Sequence, residues 1–155
     1  MPVVKANKGG ADANSYATTV EADQLIDTIF GADEWDDIDE DDKARLLITA
    51  TRAIDALSMK YAEASDTQSL CFPCQCDPDG HDQAKEATII QALYLYQHSA
   101  ELLDARNNAI QGVKAETIGP ASRSMTGLNQ KAQYAPEVYS VLSGFIDTTI
   151  RIQRG

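Results

Sequence analysis

Residues 39–57, DEDDKARLLITATRAIDAL, decide the fold class. Leu46, Leu47, Ala50, Ala53, Ile54 and Leu57 recur at steps of three and four, which places them along one face of an α-helix. Four acids open the stretch, where carboxylates offset the positive end of a helix dipole, so the helix starts at Asp39 or Glu40. Upstream, Thr18 followed by Glu21 fits a capping box, and Ala22, Leu25, Ile26 and Ile29 extend a shorter helix that Gly31 ends. Downstream, residues 59–80 break the rhythm with Pro73, Pro78 and Gly80, as a connection packed as its own loop does. Residues 82–104 then read as one uninterrupted helix, with Ile89, Leu93, Tyr96, Ala100 and Leu103 on a stripe and Ile90, Tyr94 and Leu95 beside it. So broad an apolar belt marks the central, most buried helix. The period changes to alternation near residues 112–126, around the turn pair Gly119-Pro120, which predicts a β-hairpin. Pro136 opens a last helix carrying Val138, Val141, Leu142, Phe145 and Ile146. The fold class expected is mainly α: a small bundle of about four helices with a short β-hairpin and an extended C-terminal tail. Its parts are a flexible arm (1–13), a helical domain (14–147) and the tail (148–155).

Composition narrows the function. The 155 residues hold 13 Lys and Arg against 24 Asp and Glu, a formal charge of −11. Eight of those acids, Asp33, Glu34, Asp36, Asp37, Asp39, Glu40, Asp41 and Asp42, fall within ten positions that contain no base. Solvated residues leading into a helix N-terminus explain that run; a functional acidic surface is the other reading. No cluster of bases stands out that could neutralise several phosphates, which disfavours nucleic-acid binding. Apolar runs of four or five residues cannot span a bilayer, so no membrane contact is expected. Residues 1–13 lack the apolar core of a secretory signal, which implies a cytosolic start and reduced thiols.

The catalytic inventory is thin. Two histidines are present, and there is no nucleophile elbow, phosphate loop, metalloprotease motif or dinucleotide fingerprint, so an enzyme is not expected. The densest constellation is Cys71-x-x-Cys74-x-Cys76-x4-His81. Zinc accepts three thiolates and an imidazole, yet the spacing supplies only one two-residue knuckle. No cofactor is therefore expected, and zinc on these four residues is the exception that the sequence allows. Asp77-Pro78-Asp79-Gly80 is turn chemistry. Tyr94 and Tyr96 point to different helix faces and read as core, not as a stacking platform.

Several local patterns, taken in order, resemble the head–tail connector (adaptor, or head-completion) family of tailed bacteriophages. They are Asn14-Ser15-Tyr16 with Glu21-Ala22-Asp23, Asp41-Asp42-Lys43 leading into Ala50-Thr51-Arg52, Gln68-Ser69-Leu70-Cys71-Phe72-Pro73, Lys85-Glu86-Ala87-Thr88, residues 113–120 and residues 134–142. The resemblance implies a structural virion protein assembled in the host cytoplasm and placed at the head–tail neck. It implies a homo-oligomeric ring, twelve-membered in that family, that binds the portal protein and a downstream neck or tail protein while packaged DNA passes through. In that setting the tail residues Thr149, Ile150, Arg151, Ile152, Gln153 and Arg154 would add a strand to a portal edge, and the acidic run would line the channel. The Cys/His cluster is no part of the family pattern. Similar sequences are also labelled single-stranded DNA-binding or DnaT-like, which gives a second reading as a single-stranded DNA-binding accessory protein. A zinc-stabilised cytosolic interaction protein built on the Cys/His loop is the third.

Overall fold

The computed structural model describes residues 1–110, 115–118, 121–124 and 133–147. Among them are five α-helices: α1 (Thr19–Ile26), α2 (Glu40–Asp55), α3 (Asp82–Gln97), α4 (Ser99–Ile110) and α5 (Pro136–Val141). A 3₁₀ turn occupies Asp33–Trp35, and the strands β1 (Ala115–Ile118) and β2 (Ala121–Ser124) pair antiparallel with Glu116 opposite Arg123. The chain is mainly helical, as its periodicity predicts. The expected tail, residues 148–155, lies outside the described residues.

Helix starts follow the capping chemistry. Thr18 Oγ1 accepts from the Glu21 amide at 3.2 Å while Glu21 Oε2 accepts from the Thr18 amide at 2.8 Å, completing the capping box. Asp39 caps α2 by accepting from the Asp42 amide at 2.9 Å. Two ends differ from expectation. The first helix stops at Ile26, five residues before Gly31, because the Thr28 hydroxyl takes the Leu25 carbonyl at 2.6 Å and the chain turns back, reaching a positive φ of 79° at Gly31. The run 82–104 is two helices, broken at His98. There the His98 backbone leaves helical geometry at φ −114° and ψ 16°, its amide and its ring Nδ1 share the Tyr94 carbonyl at 3.0 and 3.1 Å, and its ring stacks on Tyr94 with centroids 4.3 Å apart. The stripe therefore ends at Leu93, and Ala100 and Leu103 are exposed.

The centre is α3, which packs against α1, α2 and α5. Ala84, Ala87, Thr88, Ile89, Gln91, Ala92 and Leu93 are all buried, so most of its circumference faces protein. Small side chains let its neighbours approach: Ala84, Ala87 and Ala92 are fully buried, as is Ala50 of α2. Gln91 is fully buried and satisfied at both ends, its Nε2 donating to the Gln133 carbonyl and its Oε1 accepting from the Ala135 amide, each at 2.9 Å. That pair of bonds seats the start of α5, whose Val138 completes the core with Leu142 at its C-cap and Ile146 beyond.

Two polar knots fix the periphery. Asp23 Oδ1 accepts from Trp35 Nε1 at 2.8 Å and from Lys43 Nζ at 2.9 Å, and the ammonium lies 5.8 Å from the centroid of the Trp35 ring. Trp35 and Lys43 are both buried, so this knot folds the acidic run over α1 and α2. The second knot is the Tyr16 hydroxyl, which donates to Asp55 and accepts from the Phe72 amide at 3.0 Å, tying the start of the domain to α2 and the long loop. Residues 5–14 lie against that loop: Ser69 Oγ donates to the Gly10 and Ala13 carbonyls at 3.1 and 2.6 Å, and the Lys8 ammonium donates to the Asp79 carbonyl.

Asp23→Ala leaves a buried ammonium and an indole N–H without their shared acceptor and is expected to cost about 2 kcal/mol, the half-exposed carboxylate side keeping the loss below that of a fully buried pair. Lys43→Met keeps the stem packed on Trp35 and leaves Asp23 with the indole, so it should cost less than half as much; tryptophan-monitored urea unfolding compares the two. Glu21 supplies a pH test. Burial pushes its carboxyl up, but the bonds it accepts from Lys85 and Thr18 outweigh that and hold it below the ordinary glutamate value. A folded-state pKa below the unfolded one stabilises at higher pH and is lost as the pH falls through the folded value. Glu21→Gln should therefore flatten the acid side of the stability–pH curve while leaving the Trp35 emission of the native state unchanged.

Candidate nucleic-acid interface

Charge is the first property such an interface needs, and here it is unevenly placed. Residues 1–105 carry seven bases and 21 acids, a net of −14, whereas residues 106–155 carry six bases and three acids, a net of +3. The acidic pole is the run from Asp33 to the first turn of α2. Asp33, Glu34, Asp36, Asp37, Asp39, Glu40 and Asp42 are exposed and Asp41 is half-buried. Asp39 is spent as a cap, Asp42 pairs with Arg45, and Glu40 lies 3.8 Å from Lys43. Polyanions are repelled from this pole unless a cation intervenes.

The bases outside it are scattered. Arg45 is bound to Asp42, Lys5 to Asp12 at 3.0 Å, and Lys85 to Glu21 at 2.6 Å. Arg52, Lys60 and Arg106 are exposed. The remaining bases of the C-terminal third, Lys114, Arg123, Lys131, Arg151 and Arg154, belong by sequence to the strand pair and to positions outside the described residues. The same holds for the tail set Thr149, Ile150, Arg151, Ile152, Gln153 and Arg154.

The Cys71/Cys74/Cys76/His81 set is not assembled. Cys74 and Cys76 are joined to each other as a disulfide, against the expectation of reduced thiols, and so have no thiolate to offer a metal. Cys71 turns to Asp55, with its amide 3.4 Å from Asp55 Oδ2. His81 stands at the start of α3, where burial and then the neighbouring Lys85 and Lys8 push its imidazole below the usual histidine range. Among the described residues no group of three His, Cys, Asp or Glu side chains could hold a metal ion. As placed, the four residues form no metal site, since the Cys74 and Cys76 sulfurs are bonded to each other.

Sequence reasoning missed the Tyr16–Asp55–Cys71 cluster. Burial raises the Asp55 carboxyl above the usual range, outweighing the bonds from Tyr16 and Cys71. Burial likewise raises the Tyr16 hydroxyl, with Asp55 adding to it, and burial, Asp55 and Glu63 push the Cys71 thiol up to about 12. The available signal was a carboxylate in the last turn of α2, where the helix dipole disfavours it and only specific donors can hold it. These groups are bonded to one another and tie the loop to α2.

No helix among the described residues is long and apolar enough to cross a membrane. No curated protein and no solved structure matches the chain. One family does: its profile, described as "Putative DnaT-like ssDNA binding protein", matches residues 2–155. This overturns the expected head–tail connector, with its neck function, its twelve-membered ring and its portal and tail partners. The physical reason is that the shared patterns are pieces any such fold needs. Glu21 is a cap, Gln68 Nε2 bonds the Leu70 and Pro73 carbonyls at 2.7 and 3.0 Å, and Pro136 opens a helix, so their order reports local structure and not an assembly role. With a match that spans nearly its whole length, the chain belongs to the DnaT-like ssDNA-binding protein family.

Proposed function

We propose that this protein binds single-stranded DNA as an accessory factor, by contact alone and without a catalytic step. The family match over residues 2–155 carries the reading. Charge supports a location for the contact. Phosphates are repelled by the body of residues 1–105, net −14, and attracted by residues 106–155, net +3. Arg106, Lys114, Arg123, Lys131, Arg151 and Arg154 are the bases that would neutralise the backbone. The absence of a tight basic cluster, which weighed against nucleic-acid binding from sequence, then bears on strength. Few and dispersed cations make few phosphate contacts, so binding is weak and sensitive to salt, and the acidic pole keeps the rest of the strand away.

Fluorescence anisotropy of a labelled thymidine oligonucleotide tests this. Three to six neutralised phosphates predict that log K falls by about two to four for each tenfold rise in salt, since each contact to a single strand contributes about 0.7. Arg151→Ala with Arg154→Ala should lower that slope by about 1.4 and weaken binding while the far-UV helical signal is unchanged. No binding at low salt, or a double variant that binds as the parent does, contradicts the proposal.

A further inference from the structure

The loop that follows α2 holds chemistry that DNA binding does not use. Cys74 is 3% exposed and shares a small apolar hollow with Met59, Tyr61, Cys71, Phe72 and Phe145, whereas its disulfide partner Cys76 is exposed. The two residues joined by the bond therefore differ in exposure. The backbone around them is held independently of that bond: the Asp77 amide donates to the Cys74 carbonyl at 3.1 Å, the Gln75 amide to the Ala62 carbonyl and the Ala64 amide to the Pro73 carbonyl, both at 2.9 Å. These bonds hold the Cα atoms of Cys74 and Cys76 near their 5.2 Å separation, within disulfide range, when the sulfurs are parted.

We propose that Cys74–Cys76 is a thiol–disulfide exchange site for small monothiols of the glutathione class, attacked at the sulfur of the exposed Cys76. The thiolate of the monothiol forms a new S–S bond to Cys76 Sγ. The Cys74–Cys76 bond breaks, its electron pair leaves on Cys74 Sγ, and that sulfur takes a proton from water. Two outcomes follow. A second monothiol attacks the small thiol's sulfur in the mixed disulfide, releasing Cys76 as a thiolate and a disulfide of two monothiols. Alternatively Cys74, deprotonated again, attacks Cys76 and expels the first monothiol, closing the original bond. The preserved turn favours the second outcome, since the attacking sulfur never leaves range. Oxidised glutathione runs the sequence backwards and closes the reduced pair. Cys71 stays out of the exchange: with its thiol pushed up to about 12 by burial, Asp55 and Glu63, almost none of it is thiolate at neutral pH.

The test uses the full chain purified without reductant. It is exposed to reduced glutathione, its remaining thiols are alkylated in acid-quenched aliquots, and modified positions are sequenced by mass spectrometry. Glutathione is expected on Cys76 in at least about tenfold excess over Cys71, and a Cys74→Ser variant, whose Cys76 is a free thiol, should form the adduct with oxidised glutathione and retain it because the returning sulfur is gone. The parent readout does not depend on that variant folding. Adducts mainly on Cys71 or Cys74 would overturn the proposal, as would three free thiols that oxidised glutathione fails to convert to the Cys74–Cys76 pair.

Discussion

Burial of α3 on most of its circumference is the constraint from which the remaining structure follows. Small contacting side chains let three helices approach a fourth closely, and Ala84, Ala87 and Ala92 supply them beside the larger Ile89 and Leu93. Ile54 then shares one cluster with Ala84 and Ala87, while Leu47 and Ala50 share the other with Ile89 and Ala92, so α2 and α3 run antiparallel. Any polar group at the centre must be satisfied in place, and Gln91 achieves this by capturing the backbone on either side of Tyr134. Where that accounting fails, at the buried hydroxyl of Thr88, the core carries the structure's one unpartnered buried side-chain oxygen among the described residues.

That arrangement also sets the electrostatics. With α2 as a strut of 16 residues, about 24 Å long, the acidic run sits at one end and the exit of residue 147 at the other, where the Asp147 amide donates to the Ser58 carbonyl at 2.7 Å and Met59 pairs with Ile146. The Asp23–Trp35–Lys43 knot keeps the acids at their end by burying the one aromatic among them. The chain that carries the surplus of bases begins beyond α4's first turns. The molecule is thus an acidic body with a basic final third, and a polyanion that binds it has one part of the sequence to bind.

Much of this could be read from residues alone, for identifiable reasons. The Thr18–Glu21 box and the Asp39 cap are local, each decided within four positions, and both appear where the sequence put them. The burial of Leu47, Ala50 and Ile54 follows from periodicity. What failed was decided by side-chain partners that periodicity does not name, whether near or far in the sequence. A helix ends at His98, whose ring stacks on Tyr94, and Asp55 is held by a tyrosine 39 positions away. The cysteines were expected to be reduced, with zinc only as an exception, but Cys74 and Cys76 are joined to each other. Function was the least legible part. The lack of a basic cluster pointed away from DNA, and a search for clusters does not register the change of net charge from −14 over residues 1–105 to +3 over residues 106–155.

Hydrogen–deuterium exchange of the full chain, with and without a saturating thymidine oligonucleotide at low salt, tests that division most directly. The account predicts new protection in peptides from residues 106–132 and 148–155, with α1 and α2 exchanging at their unliganded rates. Protection centred on residues 33–42, or no change anywhere under conditions where the oligonucleotide is bound, would contradict it.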